Sequence, residues 1–195
     1  MIAARQEMNL LFVEWANKQV NLFKVELISV PLVAATSTYS VPPRVVMMLD
    51  AYITVNAGTQ QATDRYISPI SRTEWASFAN KATPGQPSQF WFDRLINPTV
   101  TLYPVPDANG PYVLNYYACT QMQDLGIAGG ETPDIPYRWY DSFVAGLSHR
   151  LARIYAPELE DKRNKDAIEA WKVAATQDTE NVALSMAPTL KTYYR

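Results

Sequence analysis

Residues 89–107, "QFWFDRLINPTVTLYPVPD", determine the fold class, because they contain two β-strand patterns separated by a short turn. Three consecutive aromatic residues open the segment, and strand alternation places Phe90 and Phe92 on one face and Trp91 on the other. Other elements of the chain or another molecule must therefore pack on both faces of this strand. The second strand pattern ends with two prolines, each lacking a backbone donor, so that end is expected at a sheet edge or in a turn.

Similar strand patterns lie on both sides of this segment. They are "VELISVPLV", "STYSVPP", "VVMMLDAYITV", "TDRYISPI" and "YVLNYYACTQ". The connections between them are short, which predicts antiparallel pairing. One helix interrupts the strands: Ser71 followed by Glu74 forms a capping box, and a short helix is expected from Arg72 to Ala79. In "PDANGP", Pro106 sets φ, Asp107 and Asn109 can bond locally, and Gly110 can take a positive φ, which predicts a turn.

Helical periodicity marks both ends of the chain. Near the start, Met8, Leu11, Phe12 and Trp15 form one apolar stripe. Towards the other end, Asp134 is the expected N-cap of a helix. Its predicted apolar stripe consists of Tyr140, Phe143, Leu147, Leu151 and Ile154. Another helix should begin at Pro157, with a narrower stripe of Ile168, Trp171, Ala175 and Val182.

The order of these patterns predicts an α+β fold. Residues 1–26 and 132–187 should form a helical bundle in which the first and last helices pack together. Residues 27–131 should form an inserted antiparallel β-domain, sandwich-like or barrel-like, and residues 188–195 are left as a C-terminal tail.

Charge and composition exclude several classes of function. The formal net charge is −2, which disfavours binding in a duplex-DNA groove, where clustered cations replace counterions. No apolar run approaches the roughly 20 residues of a membrane span, and acidic residues interrupt the N-terminal apolar pattern where a signal peptide is unbroken. The single cysteine, Cys119, cannot form an internal disulfide and is expected to be a small buried residue.

No enzyme, metal or cofactor signature is found. One histidine and one cysteine are too few for a structural zinc site. Ser148 and His149 are neighbours on a predicted helix, about 100° apart around its axis, so they do not face each other. The prediction is therefore a protein without catalytic residues, metal or cofactor.

The aromatic residues leave three interpretations open. Those of the opening segment, Phe90, Trp91, Phe92 and Tyr103, can belong to an internal core, to a contact between subunits, or to a platform on which a sugar, base or peptide stacks. The tail is equally open: it is inert, or it is an interface segment. Its interface candidates are Leu190, Lys191, Tyr193, Tyr194 and Arg195.

The order of motifs resembles the head-to-tail adaptor proteins of tailed double-stranded-DNA bacteriophages, including those called tail tubular protein A or packaged-DNA stabilisation protein. The motifs are Trp15 ahead of "NLFKVE", "YSVPP", "LDAYI", "ISRTEW", "GQPSQFWFDR", "LYPVPD", "LNYY" and "DIP". The resemblance covers about residues 8 to 185. Family members often carry a further helix before the one that ends at Trp15, whereas here the chain starts almost at that helix.

The resemblance implies a structural virion protein made in the host cytoplasm and placed at the head–tail junction. Such proteins form a dodecameric ring beneath the portal protein, extend the DNA channel and seat the next tail component. Their C-terminal segments commonly reach into the portal, which makes the tail an expected anchor. Duplex DNA should pass through the lumen without sequence-specific binding. The channel-lining candidates are the acidic residues Glu158, Glu160, Asp161, Asp166 and Glu169. The alternative function is a β-sandwich module that binds a carbohydrate or peptide on Trp91 and Tyr103.

Overall fold

The computed structural model describes residues 2–18, 22–122 and 133–179. Within these ranges the α-helices are α1 (Ile2–Lys18), α2 (Arg72–Ser77), α3 (Tyr140–Tyr155) and α4 (Glu160–Gln177). The strands are β1 (Val25–Pro31), β2 (Thr38–Ser40), β3 (Val45–Val55), β4 (Thr63–Pro69), β5 (Pro84–Gly85), β6 (Gln89–Asp93), β7 (Thr99–Tyr103), β8 (Val105–Pro106) and β9 (Tyr112–Thr120). Short 3₁₀ turns lie at Leu22–Lys24, Tyr137–Trp139 and Pro157–Leu159.

These elements confirm the predicted α+β class. One seven-stranded sheet has the order β1-β9-β3-β4-β6-β7-β2, and β5 pairs with β8 in a small second sheet. The last turns of α1 lie beside β3 of the large sheet. None of the helices in the described ranges combines the length and the apolar character that crossing a membrane requires.

The sheet is mixed, which differs from the antiparallel expectation. Most neighbouring strands are antiparallel, but β4 runs parallel to β6, with Ser68 opposite Gln89. The β5–β8 pair is parallel as well. The physical reason is the segment between β4 and β6, which carries α2 and returns the chain to the end of the sheet where β4 began. The strand patterns alone did not show that the segment between β4 and β6 is long enough to connect two parallel strands.

The core of the sheet comes from alternate residues of the central strands. Its fully buried members include Ala51, Ile53, Ile67, Val100, Leu102, Leu114, Tyr116 and Ala118. Val30 and Phe92 are partly buried against them. Cys119 is buried and unbonded to sulfur, as predicted. The sheet thus has a large core of its own.

A second core joins α1 to the C-terminal helices. Leu11, Phe12 and Trp15 are buried, as the stripe of the first helix predicted. The Trp15 ring lies 5.1 Å from the Trp139 ring, and the Phe12 ring stacks 5.8 Å from that of Phe143. From α4, Trp171, Ala174 and Ala175 pack into the same cluster. The first and last described helices therefore share one core.

Helix α3 buries only part of the predicted stripe: Phe143 is buried and Leu147 packs against the helical core, as predicted. Its buried residues are Ser142, Phe143, Gly146 and Ala152, of which three are small. Tyr140 and Ile154, expected inside, are 50% and 49% exposed. The small side chains let α1 and α4 approach α3 closely, which turns most of its large apolar residues outward.

The local capping and turn predictions have mixed outcomes. The capping box of α2 is present: the Ser71 hydroxyl accepts from the Glu74 amide at 3.1 Å, and the Glu74 carboxylate accepts from the Ser71 amide at 2.6 Å. The helix ends at Ser77, two residues earlier than expected. The predicted N-cap role of Asp134 is wrong, because its carboxylate pairs with Lys24 instead and α3 follows a 3₁₀ turn.

The turn before β9 forms largely as predicted. Both the backbone amide and the side-chain amide of Asn109 donate to the Asp107 carboxylate at 2.9 Å, and the Tyr112 hydroxyl donates to it at 2.8 Å. The positive φ expected of Gly110 is wrong, and this residue precedes a cis peptide bond to Pro111. The chain therefore reverses through local bonds to Asp107 without a left-handed glycine.

The contact between α1 and α3 predicts a specific sensitivity at Gly146. A Cβ added there would lie 3.0 and 3.1 Å from the two terminal methyl carbons of Leu11. Gly146→Val is expected to lower the free energy of unfolding by about 2 kcal/mol through overpacking. Urea denaturation measures this loss. The matched control is Ser148→Val on the same helix, and the expectation is wrong if both variants lose the same stability.

Candidate functional site

The two aromatic strands of the opening segment divide their side chains as alternation predicts. Phe90 is 2% exposed and lies in the core of the sheet, where Phe92 packs on the same side. Trp91 lies on the opposite face and pairs across the strands with Thr101. The three aromatics of β6 therefore cover two different surfaces.

Helix α2 covers the face that carries Trp91. The Trp75 ring stacks 6.2 Å from the Trp91 ring, and the Phe78 ring stacks 4.3 Å from that of Tyr103. Arg72 lies 5.8 Å from the centre of the Trp91 ring and pairs with Asp93 at 3.1 Å. The chain's own residues thus occupy the ring faces on which a sugar or base would stack, which disfavours the platform interpretation.

The predicted subunit-interface residues consequently differ in how much surface is accessible to a neighbouring subunit. Phe90 has almost no free surface and serves the core of its own chain. Phe92, Trp91 and Tyr103 are half-buried and keep some accessible edge. A subunit contact through these three residues stays a prediction.

Ser148 and His149 do not form a catalytic pair in this structure. The Ser148 hydroxyl donates to the Val144 carbonyl at 2.7 Å, so it bonds within its own helix. Desolvation by burial, and then the positive charge of Arg153, lower the pKa of His149 from its ordinary value, which favours the neutral ring. The nearest Glu160 oxygen lies 4.0 Å from its Nε2 atom. Among the described residues, no three His, Cys, Asp or Glu side chains are grouped to hold a metal ion.

A polar cluster lies between α1 and α3. The Arg150 guanidinium, largely buried, contacts Glu7 at 3.2 Å and Glu14 at 2.6 Å. Lys18 contacts the other oxygen of Glu14 at 2.6 Å. Burial alone would raise the pKa of Glu14, but the hydrogen bonds from Lys18 and Arg150 outweigh it and keep that pKa below its ordinary value. The cluster orients the two helices.

The predicted channel-lining acids do not form one acidic face. Glu160 turns towards α3 and accepts from Arg153 at 3.1 Å. The other four acids are exposed: Glu158, Asp161, Asp166 and Glu169. The same helix and its leading turn expose four cations: Lys162, Arg163, Lys165 and Lys172. The accessible face of this helix is therefore balanced in charge, and a channel-lining role for the acids stays a prediction.

The portal-interface candidates lie outside the described residues. Leu190, Lys191, Tyr193, Tyr194 and Arg195 belong to the segment after residue 179. The described chain leaves α4 at Asp178, whose carboxylate pairs with Arg138 at 2.8 Å beside the start of α3. The described chain therefore ends close to the N-terminal end of α3.

Two exposed apolar surfaces were missed by the sequence patterns. The first, here called the α3 stripe, consists of the exposed Tyr137, Tyr140, Val144 and Tyr155 with the half-buried Leu151 among them, and Tyr137 is 92% exposed. The second, called the β6–β7 tip, is the turn of Arg94, Leu95, Ile96 and Asn97, in which Ile96 is 93% exposed. The signal for the tip was present in "DRLINP", where two large apolar residues occupy a turn that polar residues usually fill. Of the α3 stripe, periodicity identified only Tyr140 and Leu151 and assigned them to the inside.

Large apolar surfaces on a chain whose cores are already filled are typical of proteins that work in contact with other proteins. Residues 4–187 of the sequence match the family model described as SU10 adaptor protein. Because that range covers most of the 195 residues, the chain belongs to the SU10 adaptor protein family, whose members are structural adaptor proteins of bacteriophages. A comparison with curated proteins gives no match.

The polar cluster predicts a pH-dependent contribution to stability. Arg150→Met removes the shared partner of two carboxylates and should lower the free energy of unfolding by about 2 kcal/mol near neutral pH. The lowered pKa of Glu14 means that its ion pairs stabilise the fold above the ordinary value of 4.5 and are lost as pH falls through the lower folded value.

The stability difference between wild type and Arg150→Met should therefore narrow below about pH 4.5, measured by urea denaturation at several pH values. Arg163→Met is the control, because its only pairing within the described residues is an exposed 3.7 Å contact with Asp166. A difference that stays constant from pH 7 to pH 3, or a control that loses as much stability, contradicts this account.

Proposed function

We propose that this protein is a head-to-tail adaptor that forms a ring beneath the portal, extends the DNA channel and seats the tail. The observation that carries the proposal is the match to the SU10 adaptor protein family over residues 4–187. The exposed α3 stripe and β6–β7 tip support it, because a subunit of a ring needs two different surfaces for its neighbours. A dodecamer located at the head–tail junction of the virion, after synthesis in the host cytoplasm, is part of the proposal.

The narrower resemblance to tail tubular protein A is also part of this proposal. It rests on the order of motifs. In the structure, "ISRTEW" contains the N-cap Ser71 and the start of α2, and "QFWFDR" forms β6 of the β6–β7 hairpin. What lies below the ring is expected to be a nozzle or another tail component.

The charge of the chain supports a channel that DNA traverses without being held. Duplex DNA binds strongly where a protein replaces its counterions with clustered lysines and arginines. The net charge of −2 and the balanced outer face of α4 provide no such cluster. Exposed acids of α4, among them Asp161 and Glu169, are proposed to face the lumen together with the neighbouring lysines.

The C-terminal tail is proposed to anchor the subunit to the portal. It contains Tyr193, Tyr194 and Arg195, and tyrosine and arginine are enriched in the cores of protein interfaces. The tail has eight residues beyond Ala187 with which to reach a partner. Fully extended, these residues span about 27 Å.

Removing residues 188–195 is therefore expected to abolish binding to the portal while leaving the fold intact. Within the tail, the double variant Tyr193→Ala, Tyr194→Ala should weaken portal binding by about 100-fold, since a buried aromatic anchor typically contributes a factor of ten or more. The matched control is Thr189→Ala, Thr192→Ala. Biolayer interferometry on immobilised portal rings measures all three variants. Wild-type affinity in the truncated chain would contradict the anchoring role.

A further inference from the structure

The α3 stripe and the β6–β7 tip are both unpartnered within the described residues, and they differ in shape. The stripe follows one side of a helix of 16 residues, about 24 Å long, and carries no charge along its centre. The tip is a narrow projection that ends in Ile96. A projecting apolar residue and an aromatic helix face are complementary in form.

We propose that the β6–β7 tip of one copy binds the N-terminal half of the α3 stripe on the next copy. This inference rests on the self-association contained in the proposed function. Ile96 and Leu95 pack on Tyr137, Tyr140 and Val144 of the neighbouring subunit. The contact differs from the predicted interface at Trp91 and Tyr103, whose rings are covered by α2.

Both surfaces lie at the same level of the molecule, where the helices meet the sheet. Arg94, at the tip, lines a cavity of about 360 Å³ with Ala16, Asn17 and Lys18 in the last turn of α1. One turn earlier on α1, Trp15 packs on Trp139, immediately before α3. Rotation about one axis keeps each surface at the same position along that axis. If the axis runs from the sheet towards the helices, the tip of one subunit can therefore meet the stripe of the next.

The two surfaces also lie on different flanks. Trp15 faces α3, whereas Asn17, two residues further on and so about 200° around the helix, lies beside Arg94. Helix α1 therefore separates the tip from α3. On α3, Gly146 faces Leu11 of α1, and Val144 of the stripe points about 200° away from that contact. A chain with complementary surfaces on two flanks associates head to tail, which closes into a ring when the rotation permits.

Charge supports this pairing over pairing of the stripe with itself. Arg94 is exposed at the tip and makes no ion pair with another described residue. Asp141 is exposed at the edge of the stripe, one residue after Tyr140, and it too makes no ion pair within the described residues. Docking the tip on the stripe brings these opposite charges to the same border. A symmetric contact between two stripes would leave Arg94 outside the interface and would bring the Asp141 carboxylates of the two copies near each other.

The size of the contact predicts its strength. A four-residue tip on half of a helix face buries much less than the roughly 800 Å² per partner of a stable complex. Single pairs should therefore dissociate readily, and a closed ring should form cooperatively. A method that captures transient contacts is required.

Cysteine cross-linking tests the contact directly in the full-length chain. The variant Ile96→Cys, Tyr140→Cys, treated with a short bis-maleimide at the highest soluble concentration, should yield a ladder of covalent dimers, trimers and larger species. The controls are each single variant and Ile96→Cys, Tyr66→Cys, whose second site is an exposed tyrosine on β4. Cys119 remains in every chain and is buried. The expected yield is at least tenfold above every control.

Charge reversal provides an independent readout of the same contact. Arg94→Asp and Asp141→Arg should each lower the ladder yield about tenfold, because each puts like charges opposite one another, and the double reversal should restore most of it. Thermal melting of each variant establishes that the fold is kept.

Three outcomes would overturn the inference. The first is an equal yield of cross-linked species in all double-cysteine variants. The second is a failure of the double charge reversal to restore the yield. The third is cross-linking that appears only after residues 180–195 are removed, which would mean that this segment covers the stripe. If the portal nevertheless retains a ring of this chain, the proposed function stands and only this contact fails. If neither a ladder nor a portal complex forms, both proposals fail.

Discussion

The packing of Trp15 on Trp139 is the contact on which the rest of the structure depends. It joins two parts of the chain separated by the whole sheet, and Phe23 packs against Trp139 at 5.8 Å where the chain enters β1. Because the bundle closes there, the sheet must begin and end at one place. The register fulfils this requirement, since Val25 at the start of β1 lies opposite Cys119 near the end of β9. The chain therefore enters and leaves the sheet through two adjacent strands, β1 and β9, next to the helical core.

This closure determines which surfaces remain for partners. Helix α3 meets α1 through Gly146 and buries Ala152, whereas its tyrosines and Val144 face outward. On the sheet, α2 covers Trp91 and Tyr103, which removes the flat aromatic face expected of a carbohydrate-binding module. Among the apolar surfaces that stay accessible are a helix face and a hairpin turn, which suit contacts between proteins.

Local patterns in the sequence predicted the elements that depend on nearby residues. The stripe of α1, the capping box of Ser71 and the alternation along β6 follow from spacing alone, and the structure confirms them. The parallel pairing of β4 with β6 depends on the path of the segment around α2, which no local pattern specifies. Periodicity identified five apolar residues of α3, but it did not show that Phe143 and Leu147 are covered by the chain itself while Tyr140 and Ile154 are exposed. The tail lies beyond the described residues and remains a prediction from sequence.

The central claim is that this chain builds a ring at the head–tail junction through two different surfaces. Electron microscopy of the chain mixed with its portal tests that claim most directly. The account predicts a twelve-fold collar on the portal, with α3 of each subunit against the β6–β7 tip of the next. Single copies scattered on the portal, or a collar in which α3 faces solvent on every subunit, would contradict it.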